Sequence, residues 1–101
     1  MTSLERKYTL FSPASGGGEK RICELRAVVS RLSTEECDEG DAKSSRVSAT
    51  ACVRCECAPK GGFVRGMRLA RGELSYRVLS AVRCSRLWLL RLERTVMEGE
   101  V

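Results

Sequence analysis

The chain has no histidine, and reading along its 101 residues shows no asparagine or glutamine either. Histidine is the side chain whose ordinary pKa lies nearest neutrality and a frequent partner of cysteine in mixed metal sites. Its absence removes most general acid–base schemes and every His-containing metal centre. Aromatic residues are scarce: Tyr8, Phe11, Phe63, Tyr76 and Trp88 are the whole set. A core must therefore come from Leu, Val and Ala. A chain of this length buries about two-thirds of its unfolded surface, enough for one small domain over 1–101. The longest apolar run, Leu87-Trp88-Leu89-Leu90, falls far short of the ~20 residues of a membrane-spanning helix. Nothing after Met1 resembles the apolar stretch of a secretory leader. These absences lead to the expectation of a soluble, cytoplasmic protein with no membrane partner, its thiols free or metal-bound rather than paired as disulfides.

What is present is positive charge. Eighteen basic residues face thirteen acidic ones, a net charge of +5, and fourteen of the eighteen are arginine. The planar guanidinium fork grips phosphate and carboxylate groups bidentately, so this bias points to nucleic acid or an acidic protein surface as partner.

The local pattern suggests mixed structure. Residues 6–12 alternate and favour β-types, reading as a short strand closed by the Pro13 and Gly16-Gly17-Gly18 loop. Over 19–32, Ile22, Leu25, Val28, Val29 and Leu32 recur at helical spacing, although Cys23, Leu25, Ala27 and Val29 also alternate. Ser33-Thr34-Glu35-Glu36 has the form of a capping box, and 36–45 reads as an acidic, mobile loop. Val47, Ala49, Ala51 and Val53 alternate with polar residues. After the turn signal Ala58-Pro59-Lys60-Gly61-Gly62, Phe63, Arg65, Met67 and Leu69 alternate again, so 46–70 suggests a hairpin. Residues 73–97 lack Gly and Pro, and Leu74, Val78, Ala81, Val82, Trp88, Leu89, Leu92 and Val96 form one helical stripe. Two strands meeting around Cys84-Ser85 are the other reading of that stretch. The order strand-helix-strand-strand-helix implies an α+β fold, a three-stranded antiparallel sheet with two helices on one face; a small all-β barrel is the alternative.

Two groups of residues carry candidate chemistry. Cys52, Cys55 and Cys57 form a Cys-x-x-Cys-x-Cys run able to offer thiolates to a soft ion such as zinc, with Cys23, Cys37 or Cys84 as a fourth ligand, or to act in redox exchange. On a strand, however, Cys52 points away from Cys55 and Cys57. Arg77, Arg83, Arg86, Arg91 and Arg94 would lie largely outside the apolar stripe of a C-terminal helix, a footprint for a phosphate backbone or an acidic partner. Gly16-Gly17-Gly18-Glu19-Lys20 lacks the ending of a phosphate-binding loop, and Glu35, Glu36, Asp38, Glu39 and Asp41 sit where no pocket is expected. No catalytic residue is expected.

The segments Ser75-Tyr76-Arg77 and Arg86-Leu87-Trp88, within that order of elements, resemble the last helix of the small dimerisation subunit of the KEOPS complex, which works in forming threonylcarbamoyl-adenosine on tRNA. The Asn-Ser pair of that family has no counterpart here. The resemblance implies a non-catalytic homodimer presenting a helix to a catalytic subunit near tRNA. The expected function is thus a basic binding and assembly module, a subunit or adaptor of a nucleic-acid-associated complex, with no cofactor. The alternatives are a thiolate metal-binding or redox module, and a weakly folded product of a short reading frame.

Overall fold

The computed structural model describes residues 4–39 and 42–98. Six strands run along the chain: β1 (Arg6–Pro13), β2 (Glu19–Glu39), β3 (Ala42–Arg54), β4 (Arg68–Arg71), β5 (Leu74–Cys84) and β6 (Leu87–Glu98). They are hydrogen-bonded in the order β1-β2-β3-β6-β5-β4, all antiparallel where neighbours pair, and β4 returns to β1 to close a barrel. The closing ladder is short: Thr9, Leu10 and Phe11 stand opposite Ala70, Leu69 and Arg68.

This overturns the α+β expectation. Among the described residues the only helical element is a 3-10 turn at Cys55–Cys57. Over 19–32 the alternation wins over the helical spacing: Leu25 and Ala27 are buried, while Glu24 and Arg26 are exposed. Each inward side chain meets a neighbour across the barrel, and that tertiary gain outweighs the local helical pattern. The long C-terminal helix is likewise two strands, with Cys84 opposite Leu87 and a two-residue turn between them. Tight hairpin turns of this kind need positive φ, normally supplied by Gly; here Ser85 adopts φ 55. The hairpin over 46–70 does not form either. β3 pairs with β2 and β6, whereas β4 pairs with β1 and β5. The capping-box segment is strand, and the supposed acidic loop continues the β2–β3 hairpin, with 36–39 opposite 42–45 and residues 40 and 41 outside the described ones.

The core is made by the inward residues of every strand: Tyr8 and Leu10 on β1, Leu25 and Ala27 on β2, Ala49, Ala51 and Val53 on β3, Leu69 on β4, Tyr76 and Val78 on β5, Leu90 and Leu92 on β6. Small and large residues face one another, Ala51 opposite Leu90 and Ala49 opposite Leu92, so a narrow interior is filled without strain. Phe63 and Met67, on the segment between β3 and β4, add to this core, and Trp88 packs against it with its ring edge-on to Phe63, centroids 5.6 Å apart.

Beyond the barrel, β2, β3 and β6 run on together as a three-stranded arm. β1 accompanies β2 only as far as Ala27, and β5 accompanies β6 only to Glu93, whereas β3 pairs with β2 out to Glu39 and with β6 out to Glu98. The molecule measures 44 × 41 × 23 Å with a radius of gyration of 14.4 Å. A compact chain of this length would have about 13 Å, and the projecting arm accounts for the difference.

Gly62 gives a direct check on this packing. It has φ +77, and a Cβ there would lie 2.6 Å from the Trp88 ring, which Phe63 holds in place. Gly62→Ala is expected to cost about 1–3 kcal/mol through positive-φ strain and overpacking. Urea unfolding followed by the fluorescence of the single tryptophan will measure it; an unchanged midpoint would contradict the contact.

Candidate functional site

The five arginines expected to share a helical face are divided between the two ends of the barrel. Arg83 near the end of β5 and Arg86 in the β5–β6 turn lie at one end, whereas Arg94 lies at the base of the arm. Eight residue steps, along β6 (Leu87–Glu98), lead from Arg86 to Arg94, roughly 26 Å at the ordinary rise. Arg91 lies between them, exposed and opposite Ser80. The continuous helical footprint does not exist.

A different arginine group forms instead. Where β5 and β6 part, Arg68, Ser75, Arg77, Glu93 and Arg94 line a cleft of about 290 Å³. It adjoins a shallower groove of about 570 Å³ that shares Arg68, Arg77 and Glu93 and adds Glu19, Arg65 and Leu79. Arg77 and Arg94 were singled out in the sequence as members of a helical face that does not form; Arg65 and Arg68 were not singled out. The signal for Arg68 lay in the strand alternation, since it is flanked by the inward Met67 and Leu69.

Arg68 is the fixed member. Its Nε donates to Glu19 Oε1 at 2.9 Å and Oε2 at 3.0 Å, and its Nη1 donates to Ser75 Oγ at 3.2 Å. The guanidinium lies 4.4 Å above the Phe11 ring. The hydrogen bonds from Arg68 hold the Glu19 carboxyl below its ordinary pKa and push the guanidinium of Arg68 up in return. Glu93 is taken by Arg46 at 2.8 Å. Among the described residues, Arg65, Arg77 and Arg94 make no ion pair within 4 Å, although Arg77 stands in register with Glu93 and its charge also acts on Glu19. Arg77 also stands directly opposite Arg68 on β4, and like charges in register repel. The cleft thus gathers three arginines with the carboxylate of Glu93, while Glu19 beside it holds Arg68.

Cys52 is set apart from Cys55 and Cys57. Cys52 sits on β3, Cys55 and Cys57 in the 3-10 turn, and the Cys55 thiol lies 3.8 Å from the Ser85 carbonyl oxygen. Among the described residues no three Cys, Asp or Glu side chains approach one another as a metal-binding group. Burial pushes the Cys23 thiol up. Cys52 belongs instead to an apolar row that crosses four strands in register, Val82, Leu89, Cys52 and Val28. Val82 and Leu89 in that row are 56% and 41% exposed.

The arm adds a second feature. On its β2 side no strand among the described residues pairs with 28–39, and on its β6 side none pairs with 94–98. Both edges present unpaired backbone groups.

No protein-family model matches the chain, and none of the curated proteins does. Among solved structures, a chain in the virion of a native gene transfer agent particle has a similar fold: TM-score 0.67 at 22% identity, covering 95% of this chain and 98% of that one. A barrel fold shared over nearly the full length replaces the resemblance to the KEOPS subunit, whose last helix has no counterpart here.

The Glu19–Arg68 pair makes stability depend on pH. The depressed Glu19 pKa means that the pair stabilises the fold above the ordinary carboxylate range and loses this effect as pH falls through the Glu19 value. Glu19→Gln is expected to destabilise by less than about 1 kcal/mol at pH 7, because the pair is partly solvent-screened. Thermal melts should show the difference from the parent shrinking toward zero near the acid end; a constant gap across pH would refute the assignment.

Proposed function

We propose that the chain is a non-catalytic building block of a multi-copy assembly, joined to its neighbours by strand addition along the arm. The observation that carries this reading is the pair of edges, on opposite sides of one three-stranded sheet, that no strand among the described residues pairs. An exposed edge is a template for another strand, and monomeric proteins cover, shorten or twist such edges away. The in-register apolar row on the outer wall supports the same reading, since a contiguous exposed apolar patch favours a protein contact. The fold similarity to a chain of a virion particle supports it too. The basic exterior suits an assembly that works around a polyanion.

An edge at each side favours a head-to-tail interface, β6 of one copy against β2 of the next, which closes into a ring when the rotation permits. Successive residues of a strand direct their N–H groups to opposite sides, so proline scanning separates assembly from folding. Of Thr95→Pro and Val96→Pro, one removes an N–H aimed at β3 and should lower the melting temperature. The other removes an N–H aimed at the open edge and should leave the melt unchanged while abolishing self-association in sedimentation velocity. A parent chain that stays monomeric at every attainable concentration overturns the proposal.

A further inference from the structure

The cleft at the base of the arm and the groove beside it form one continuous furrow on the barrel surface. Arg94 lines only the cleft and Arg65 only the groove, while Arg68, Arg77 and Glu93 line both. The arginines therefore follow one another along the furrow, from Arg94 through Arg77 to Arg65.

Two carboxylates share it, and each is already matched by a guanidinium at 2.8 Å, Glu19 by Arg68 and Glu93 by Arg46. Arg77 stands in register with Glu93, and its charge also acts on Glu19. In both places it is the second cation upon a single negative charge. Arg46, Arg65, Arg68, Arg77 and Arg94 thus stand against Glu19 and Glu93, an excess of three positive charges. A concave surface with charge of one sign in excess focuses its field on an incoming counter-charge. Ser75 adds a neutral donor: its oxygen accepts from Arg68 Nη1, so its own O–H turns elsewhere, and the side chain lines the cleft.

The spacing favours a linear ligand. A small anion is held by donors that converge on one point, whereas Arg94 and Arg65 lie at opposite ends of the furrow. Guanidinium forks match phosphate oxygens in pairs. Among the described residues no aromatic side chain lines either part, and Phe11 has a face of its ring covered by Arg68 at 4.4 Å. Single strands are held largely by stacking their bases on aromatic rings. A duplex stacks its own bases and turns its phosphates outward, so it needs only what this furrow offers.

We infer that the furrow seats the phosphate backbone of a nucleic-acid duplex, with Arg65, Arg77 and Arg94 each reaching a phosphate and Arg68 as the fixed floor between them. The contact reads charge and not bases, so binding is indifferent to sequence. It goes beyond the strand-addition reading and does not depend on it, since neither edge of the arm takes part.

Short DNA duplexes of two unrelated sequences, titrated with the whole chain and followed by fluorescence anisotropy, test it. Both should bind alike, with log affinity falling against log salt at a slope of about −3 for three arginines on phosphates. Arg77→Gln with Arg94→Gln should lower affinity at least ~10-fold, the worth of a single hydrogen bond to a charged group, and flatten the slope by about two. Arg83→Gln with Arg86→Gln removes the same charge at the other end of the barrel and should leave affinity and slope nearly unchanged. Circular dichroism checks the fold. If the Arg77, Arg94 variant does not fold, Arg65→Gln on the exposed segment between β3 and β4 supplies the measurement, with the slope flattened by about one. An equal loss in the Arg83, Arg86 variant overturns the inference, as does a single strand that binds more tightly than its duplex. Poly-glutamate bound as tightly as the duplex, with the same dependence on Arg77 and Arg94, assigns the furrow to an acidic chain and overturns it too. Sedimentation velocity separates the two readings. A parent that associates without binding the duplex at low salt ends this inference alone, and one that binds it while remaining monomeric ends the assembly reading alone.

Discussion

The closure of the barrel between β1 and β4 is the contact on which the remaining architecture depends. It is only three residue pairs long, yet without it the six strands would form an open strip with two further edges. Inside, Leu10 and Leu69 stand opposite each other, both fully buried. Outside, the next pair, Phe11 and Arg68, is held by stacking of the guanidinium on the ring and by the Glu19 carboxylate. The seam is thus secured by dispersion and water exclusion on one face and by a charged clasp on the other. Because Arg68 is also the floor of the cleft, what closes the barrel and what shapes the candidate site are the same residue.

Sheet alternation then divides labour along every strand. Inward positions are Leu, Val, Ala and Tyr; outward ones carry the arginines, the glutamates and the apolar row through Cys52 and Leu89. The barrel itself leaves no edges in its closed part, whereas the arm restores two of them. A stable body with exposed edges on one extension is an economical arrangement for a subunit: folding is complete in the closed part, and pairing capacity is confined to the part that projects.

The sequence reading recovered individual strands better than their arrangement. The first strand and the inward set Val47, Ala49, Ala51 and Val53 were visible because apolar and polar residues alternate cleanly there. Residues 19–32 were misleading because β2 is apolar on both faces: Leu25 and Ala27 look inward, while Ile22 is exposed and Val28 joins the outer apolar row, and that combination imitates a helical stripe. The hairpin at 84–87 was the second reading of 73–97, passed over because Ser85 adopts a backbone conformation that sequence leads one to expect of glycine. The site fared similarly. Arg77 and Arg94 were named, yet their companion Arg68 reaches Arg77 through the β4–β5 pairing, which could not be read while 73–97 was taken as a helix.

The packed interior has a consequence for transport. Leu10, Leu69, Leu90, Leu92, Val53 and Val78 fill the barrel completely, and six strands enclose less room than the eight of the narrowest ligand-holding barrels. Among the described residues no lumen runs through a single copy. In the multi-copy assembly proposed above, a passage would run between subunits rather than through one, and its bore would follow from the number of copies around it.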